Sequence, residues 1–266
     1  MVDTQKLFDL SGKTVILTGA AGYLGQGYAE AFSQAHANVV LADKEFSKCK
    51  EISKELEKKY KNQTLPIKIE LTNKQSIKNM VAKTIKKFSN IDILVNNAIF
   101  PEGVKERSIP FEEFPLSIWN QVISVNTTGM FLCCQEVGKK MVKQNNGVIV
   151  NVSSIYGLQA ADQRIYSESG LNSTVVYAVT KSAVLNFSRY LASYWHDKGI
   201  RVNSLTLGGV ENNQDSKFKK KYAAKTMLGR MAKKDEYVGA MLFLVSDASS
   251  YMTGSNVVVD GGWTVW

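Results

Sequence analysis

The feature that most constrains the fold is a spacing of glycines, Gly19, Gly22 and Gly25, set directly after the apolar run Lys13-Thr14-Val15-Ile16-Leu17 and inside TGAAGYLGQGYAEAF, Thr18 to Phe32. The run reads as a short buried strand, and the glycines sit where that strand turns into a helix. The first glycine permits the tight turn, the second lets backbone approach a pyrophosphate, and the third lets the helix lie close against the sheet. The helix N-terminus then presents free N–H groups and the positive end of its dipole to phosphate. A second strand, Asn38 to Ala42, ends in Asp43, where a carboxylate can accept both ribose hydroxyls of an adenosine. Asp43 repels a 2′-phosphate, so NAD(H) is expected over NADP(H); Lys44 beside it offsets part of that repulsion and keeps NADP(H) open.

The alternation continues with a helix over Lys48–Lys59, a strand over Ile67–Ile69, a helix over Gln75–Phe88 and a strand over Ile91–Val95. Further strands are expected over Gly147–Val152, Arg201–Leu205 and Asn256–Val259, with helices over Ser117–Lys143, from Tyr177 to near Lys198, and over Asp235–Ser246. Strands alternating with amphipathic helices imply right-handed crossovers and a doubly wound parallel sheet covered on both faces. No repeat or linker divides the chain, so residues 1–266 are expected to form one α/β domain of the Rossmann type with seven strands.

Composition excludes several classes. The net charge of +9 comes from lysines spread over helices rather than from a cluster interleaved with aromatics, which argues against nucleic acid. No apolar run is long enough to span a membrane, and no basic-then-apolar segment precedes the first glycine turn, so a cytoplasmic protein is expected. Cys49, Cys133, Cys134, His36 and His196 have no metal-ligand spacing, and no metal site is expected.

Ligands of such a sheet bind beyond the carboxyl ends of its strands. At that edge lie Asn96-Asn97-Ala98 after the fourth strand, Ser153-Ser154 after the fifth and Leu207-Gly208-Gly209-Val210 after the sixth. Asn126 lies inside a long helical stretch, where asparagine is unfavourable unless its side chain has a task. Tyr177 and Lys181 stand four residues apart in VVYAVTKSAVLNF, on one face of a helix, where the ammonium is expected to lower the phenol pKa toward a range useful for acid/base work. Residues 156–176 lack a sustained period and read as a long functional loop, and 209–229, a basic piece bounded by glycines, suits a hinged lid.

TGAAGYLG, NNA, Ser154 and YAVTK in that order, with FLVSDASSYMTGSNVVVDGG near the end, resemble the short-chain dehydrogenase/reductase family in its branch of about 250 residues. The resemblance implies Tyr177 as catalytic acid/base, Lys181 as the group that holds the nicotinamide ribose, Ser154 as hydrogen-bond partner of the substrate oxygen, and Asn126 as anchor of a water in a proton relay. It further implies cofactor contacts from Gly19, Gly22, Tyr23, Leu24, Gly25, Asp43, Glu70, Leu71, Asn97, Ala98, Gly208 and Val210, besides Tyr177 and Lys181. The glycine spacing is that of the family's extended branch, Leu207 replaces the usual proline before Gly208, and Ile99 replaces the glycine that normally follows NNA.

The spacing between Ser154 and Tyr177 exceeds the family's common one, and with SSIYGLQAADQRIY and VVVDGGWTVW it looks like the subgroup of flagellin-modification and surface-glycan oxidoreductases. That likeness implies a sugar or sugar-phosphate substrate, with Ser154, Tyr156, Gln163 and Tyr177 as substrate contacts and Gln159, Asp162 and Arg164 supplying further polarity. The expected activity is NAD(H)-dependent interconversion of a secondary alcohol and a ketone. The alternatives are an acyl-carrier-protein ketoreductase and a non-enzymatic cofactor sensor. A homotetramer or homodimer is expected, built on the two long helices that carry Phe131, Leu185 and Tyr190.

Overall fold

A computed structural model describes residues 3–166 and 169–266; Ser167 and Glu168, within the long loop, lie outside the described residues. Seven strands, β1 (Thr14–Thr18), β2 (Asn38–Asp43), β3 (Thr64–Lys68), β4 (Ile93–Asn96), β5 (Gly147–Ser154), β6 (Ile200–Leu207) and β7 (Asn256–Val259), form one sheet in the order β3-β2-β1-β4-β5-β6-β7. Every pairing is parallel. The order reverses direction between β1 and β4, which opens the crevice in which such sheets bind ligands.

Alternate strand residues enter opposite faces, and both faces are covered. Val15, Leu17, Val39 and Leu41 pack with Tyr28 and Phe32 of α2 (Tyr23–Gln34), Leu56 of α3 (Phe46–Tyr60) and Leu244 of α10 (Val238–Val245). Ile16, Val40 and Ala42 pack on the other face with Met80 of α4 (Lys74–Phe88), Val137 of α7 (Met130–Gln144) and Leu191 of α8 (Val175–Tyr194). This two-sided burial is why the strands are almost unbroken apolar runs. The remaining helices are short: α1 (Thr4–Phe8), α5 (Val104–Arg107), α6 (Leu116–Ile123) and α9 (Ser216–Ala223).

Several element boundaries differ from the sequence reading, and three of them have a clear physical reason. β3 begins at Thr64 rather than Ile67 and contains Pro66, which an outermost strand tolerates because one side of its backbone has no partner strand. The stretch read as one helix over Ser117–Lys143 is α6 and α7 joined by a π-helical turn, Ser124–Gly129, a wider winding that often marks a functional site. α8 stops at Tyr194, before Lys198-Gly199, and Trp195 follows it into the core. Among the described residues no helix is long and apolar enough to cross a membrane.

Candidate active site at the carboxyl edge of the sheet

At the end of β1 the chain turns through Gly19 with φ at 69°, a left-handed conformation that suits glycine. Gly25 has no room for a side chain: a Cβ there would lie 2.0 Å from the Gly19 carbonyl oxygen. No side chain caps α2, whose N-cap is Gly22, so its first N–H groups face outward as an anion-binding terminus. Asp43 is oriented by two backbone donors, Ala21 N to Oδ2 at 3.0 Å and Glu45 N to Oδ1 at 3.1 Å, and each oxygen keeps a lone pair for a further donor. Asn97 fastens β4 to the glycine turn, its Nδ2 donating to the carbonyls of Thr18 and Gly19, while the Thr18 hydroxyl accepts from Asn97 N and Ala98 N. These groups fit a dinucleotide: an uncapped helix end for the pyrophosphate, a braced carboxylate for a ribose diol, and a turn with no room for a side chain at Gly19 or Gly25.

The other residues of the expected cofactor set divide. Leu24, Asn97, Gly208, Val210 and Lys181 line a cavity of about 730 Å³ beside the uncapped end of α2. Leu71 is buried against Gly129. Glu70 turns one carboxylate oxygen to Thr72, accepting from its Oγ1 at 2.8 Å, so it closes the turn after β3. Tyr23 does not line that cavity: its hydroxyl donates to the Glu211 carbonyl at 3.1 Å, with the Lys234 ammonium over its ring. Asn96 points inward, donating to Asn151 Oδ1 at 2.8 Å, and stitches β4 to β5.

Ser154, at the end of β5, and Tyr177, in the first turn of α8, both line the cavity. Burial pushes the Tyr177 phenol above its ordinary pKa, the nearby Ser154 hydroxyl draws it down, and the charge of Glu102 and the neighbouring Tyr166 push it up. This corrects the expectation that Lys181 depresses the phenol. The Lys181 ammonium donates to the Val152 carbonyl at 2.8 Å, stands 5.8 Å from the centre of the Tyr177 ring, and is itself brought to about 8 by burial. The ammonium is turned to that carbonyl, and the phenol's pKa is set by burial, Ser154, Glu102 and Tyr166.

Asn126 lies in the π-helical turn, accepting from Phe100 N at 2.7 Å and donating to Thr180 Oγ1 at 3.3 Å. It borders a second cavity of about 10 Å³, shared with Thr180, Lys181 and Val152, about the size one water needs.

The substrate wall departs most from the sequence reading. Gln163 does not line the cavity: its amide clamps Ser173 through both backbone groups, at 2.9 and 3.0 Å. Gln159, Asp162 and Arg164 do not line it either; Asp162 pairs with Arg164 at 2.8 Å and with Lys225 at 2.7 Å, tying the long loop to the segment after α9. Their polarity serves the loop's own structure. Tyr156 does line the cavity, its hydroxyl 3.0 Å from that of Tyr166.

Sequence reading missed Glu102, Arg107, Tyr166 and Thr174, all of which line the cavity. Glu102 accepts from the Thr174 hydroxyl across 72 positions of sequence, and the Arg107 guanidinium lies 5.3 Å from the centre of the Tyr166 ring. The only local signal was the N-cap character of Thr174, which accepts from Tyr177 N. The segment 209–229 packs onto the loop through Tyr166 against Phe218 at 5.2 Å, and the Tyr222 hydroxyl accepts from Gly209 N.

Comparison with known proteins agrees with this geometry. The family model described as enoyl-(acyl carrier protein) reductase matches residues 19–264. The chain is 30% identical over 254 residues to the post-translational flagellin modification protein A of Campylobacter coli, covering 96% of this chain and 99% of that one. It is 33% identical over 260 residues to the 3-oxoacyl-[acyl-carrier-protein] reductase FabG of Thermotoga maritima, covering 96% and 99%. A short-chain type dehydrogenase/reductase from Mycobacterium marinum superposes with a TM-score of 0.88 at 30% identity, covering 99% of each chain. With its glycine turn, its sheet order and these matches over nearly its whole length, the chain belongs to the short-chain dehydrogenase/reductase family of NAD(P)-dependent oxidoreductases.

Proposed function

We propose that the protein interconverts a secondary alcohol and a ketone on a sugar or sugar-like substrate, with NAD(H) as its redox partner. The observation that carries this reading is that Tyr177, Ser154 and Lys181 line one large cavity beside the uncapped end of α2. Asp43, a carboxylate braced at the end of β2, favours a free ribose diol over a 2′-phosphate and supports NAD(H). The glycine turn, Asp43, Asn97, Gly208 and Val210 would hold the dinucleotide, whose nicotinamide supplies or receives the hydride.

The chain's own residues do the rest. Tyr177 exchanges a proton with the substrate oxygen at its phenolic oxygen, and Ser154 donates to that same oxygen and fixes its position. Lys181 and Asn126 border the water-sized cavity, which gives the phenol a route for its proton away from the substrate. Lys181 is buried and Tyr177 half-buried, which limits the access of bulk water to the exchange. The segment 209–229 serves as a lid over the cavity, carrying Gly209, Asn212 and Phe218 into its lining. Assembly as a homotetramer or homodimer would use α7 and α8, where Phe131 and Tyr190 are exposed, whereas Leu185 is buried within the chain.

The test is an absorbance screen of neutral hydroxy and keto sugars with NAD(H) and NADP(H), together with fluorescence titration of each reduced cofactor. Turnover of at least one secondary alcohol, with NADH bound more tightly than NADPH, is expected. A second reading, reduction of acyl-carrier-protein ketones, is favoured by the likeness to the Thermotoga maritima reductase. It predicts the opposite pattern, tighter NADPH and turnover of acyl thioesters alone.

A further inference from the structure

We propose that Glu102 determines substrate specificity: its carboxylate receives a hydroxyl neighbouring the reacting carbon, selecting uncharged polyhydroxylated substrates over simple alcohols and over anions. The proposal rests on the oxidoreductase reading above and narrows it.

Glu102 follows β4 and lines the cavity with Ser154 and Tyr177. Its Oε1 accepts from the Thr174 hydroxyl at 2.5 Å, and its Oε2 has no protein partner among the described residues. No ion pair compensates it there either. The nearest cation that acts on it, Arg107, is engaged elsewhere, with its guanidinium over the Tyr166 ring and its Nε donating to the Asn172 carbonyl at 3.3 Å. A partly buried carboxylate without an ion pair loses hydration that one hydroxyl does not restore, and Glu102 shows this as a pKa pushed above the ordinary value by burial.

A carboxylate in this state accepts hydrogen bonds only. A polyol or sugar offers donors that satisfy its remaining lone pairs, a monoalcohol offers none beyond its reacting hydroxyl, and a carboxylate or phosphate meets like charge. The same charge acts on the Tyr177 phenol, which is also faced by Ser154 from β5, Tyr156 and Tyr166 from the long loop, Tyr222 from α9 and Lys181 from its own helix. Glu102 therefore links substrate choice to the titration of the base.

The experiment compares the full-length protein with its Glu102→Gln and Glu102→Asp variants on three probes of equal carbon chain: xylitol, 2-pentanol and xylonate. The readouts are kcat/KM for NAD+ reduction and its pH profile. Glutamine keeps an acceptor for Thr174 and removes the charge. Glu102→Gln is expected to lose about 10- to 100-fold in kcat/KM on xylitol, chiefly through KM. Compared at each variant's pH plateau, the loss should be smaller on 2-pentanol than on xylitol and xylonate should gain, and the rise with pH should begin at lower pH, because loss of a nearby negative charge makes phenolate easier to form. Glu102→Asp is expected to keep the wild-type pH profile and only part of the preference for xylitol. Equal losses on all three probes, an unchanged preference in Glu102→Gln, or a Glu102→Asp variant indistinguishable from Glu102→Gln would each overturn the proposal alone. Wild-type protein that oxidises none of the three would overturn the oxidoreductase reading on neutral alcohols and this proposal with it.

Discussion

The two walls of the cavity are held together differently. The wall beside β1, β2 and β4 is braced by strand ends: Asn97 and Thr18 join β4 to β1, Asp43 holds the glycine turn through Ala21 N, and Gly25 lets α2 touch the Gly19 carbonyl. The opposite wall is three irregular segments fastened by side chains. Glu102 meets Thr174, Tyr156 meets Tyr166, and Asp162 meets Lys225. The first wall rests on buried backbone geometry that admits little change; the second rests on side-chain pairs, buried between Tyr156 and Tyr166 and more exposed between Asp162 and Lys225, that can be exchanged one at a time. A scaffold of this kind keeps one cofactor geometry and varies the substrate.

The harshest way to break that contrast is a single methyl on the rigid wall. Gly25→Ala drives a Cβ into the Gly19 carbonyl, a backbone atom that cannot swing aside, and is expected to destabilise the fold by about 3 kcal/mol, the upper end for overpacking, and to weaken NADH binding with it. Thermal denaturation and fluorescence titration check both effects. An unchanged melting temperature would mean that the wall yields.

Lys181 stands at the seam between the walls. Its folded pKa of about 8 lies below the ordinary 10.5, so the unfolded chain binds the additional proton between those values and stability should rise with pH across that window. Below about pH 8 the buried charge is a standing penalty. Lys181→Met is expected to abolish turnover, to raise stability at pH 7 by on the order of 1–3 kcal/mol, and to flatten the rise above pH 8. Melting curves from pH 7 to 10 test this, and a lower melting temperature at pH 7 would show that the lysine stabilises the fold.

The smallest effect belongs to the adaptable wall. Asp162→Asn removes the charge that meets Lys225 and Arg164, both well exposed, so stability should change by less than about 1 kcal/mol. KM should rise by at most about fivefold, the factor equivalent to that energy, with kcat unchanged. A collapse of kcat would place the loop in the chemistry rather than in substrate positioning.

The same contrast separates what could be read in the sequence from what could not. Gly19, Gly22, Gly25 and Asp43 announce themselves because each acts through local backbone or at the end of its own strand. Tyr177 and Lys181 share a helix face, and Ser154 ends an apolar run. Glu102 gave no signal, since its partner is 72 positions away and its own neighbours are loop residues. Gln163 misled for the converse reason: a polar residue in a long loop looks available, yet both ends of its amide are taken by Ser173. The π-helical turn at Asn126 was also hidden, although Val125-Asn126-Thr127-Thr128-Gly129 is a poor helix former throughout.

The central claim is that the Tyr177 phenol carries the proton that accompanies hydride transfer. Turnover and NADH titration of Tyr177→Phe test it most directly. The account predicts NADH affinity within about twofold of wild type and kcat lower by about 10²- to 10⁴-fold. A phenylalanine variant that turns over alcohol at close to the wild-type rate would contradict it.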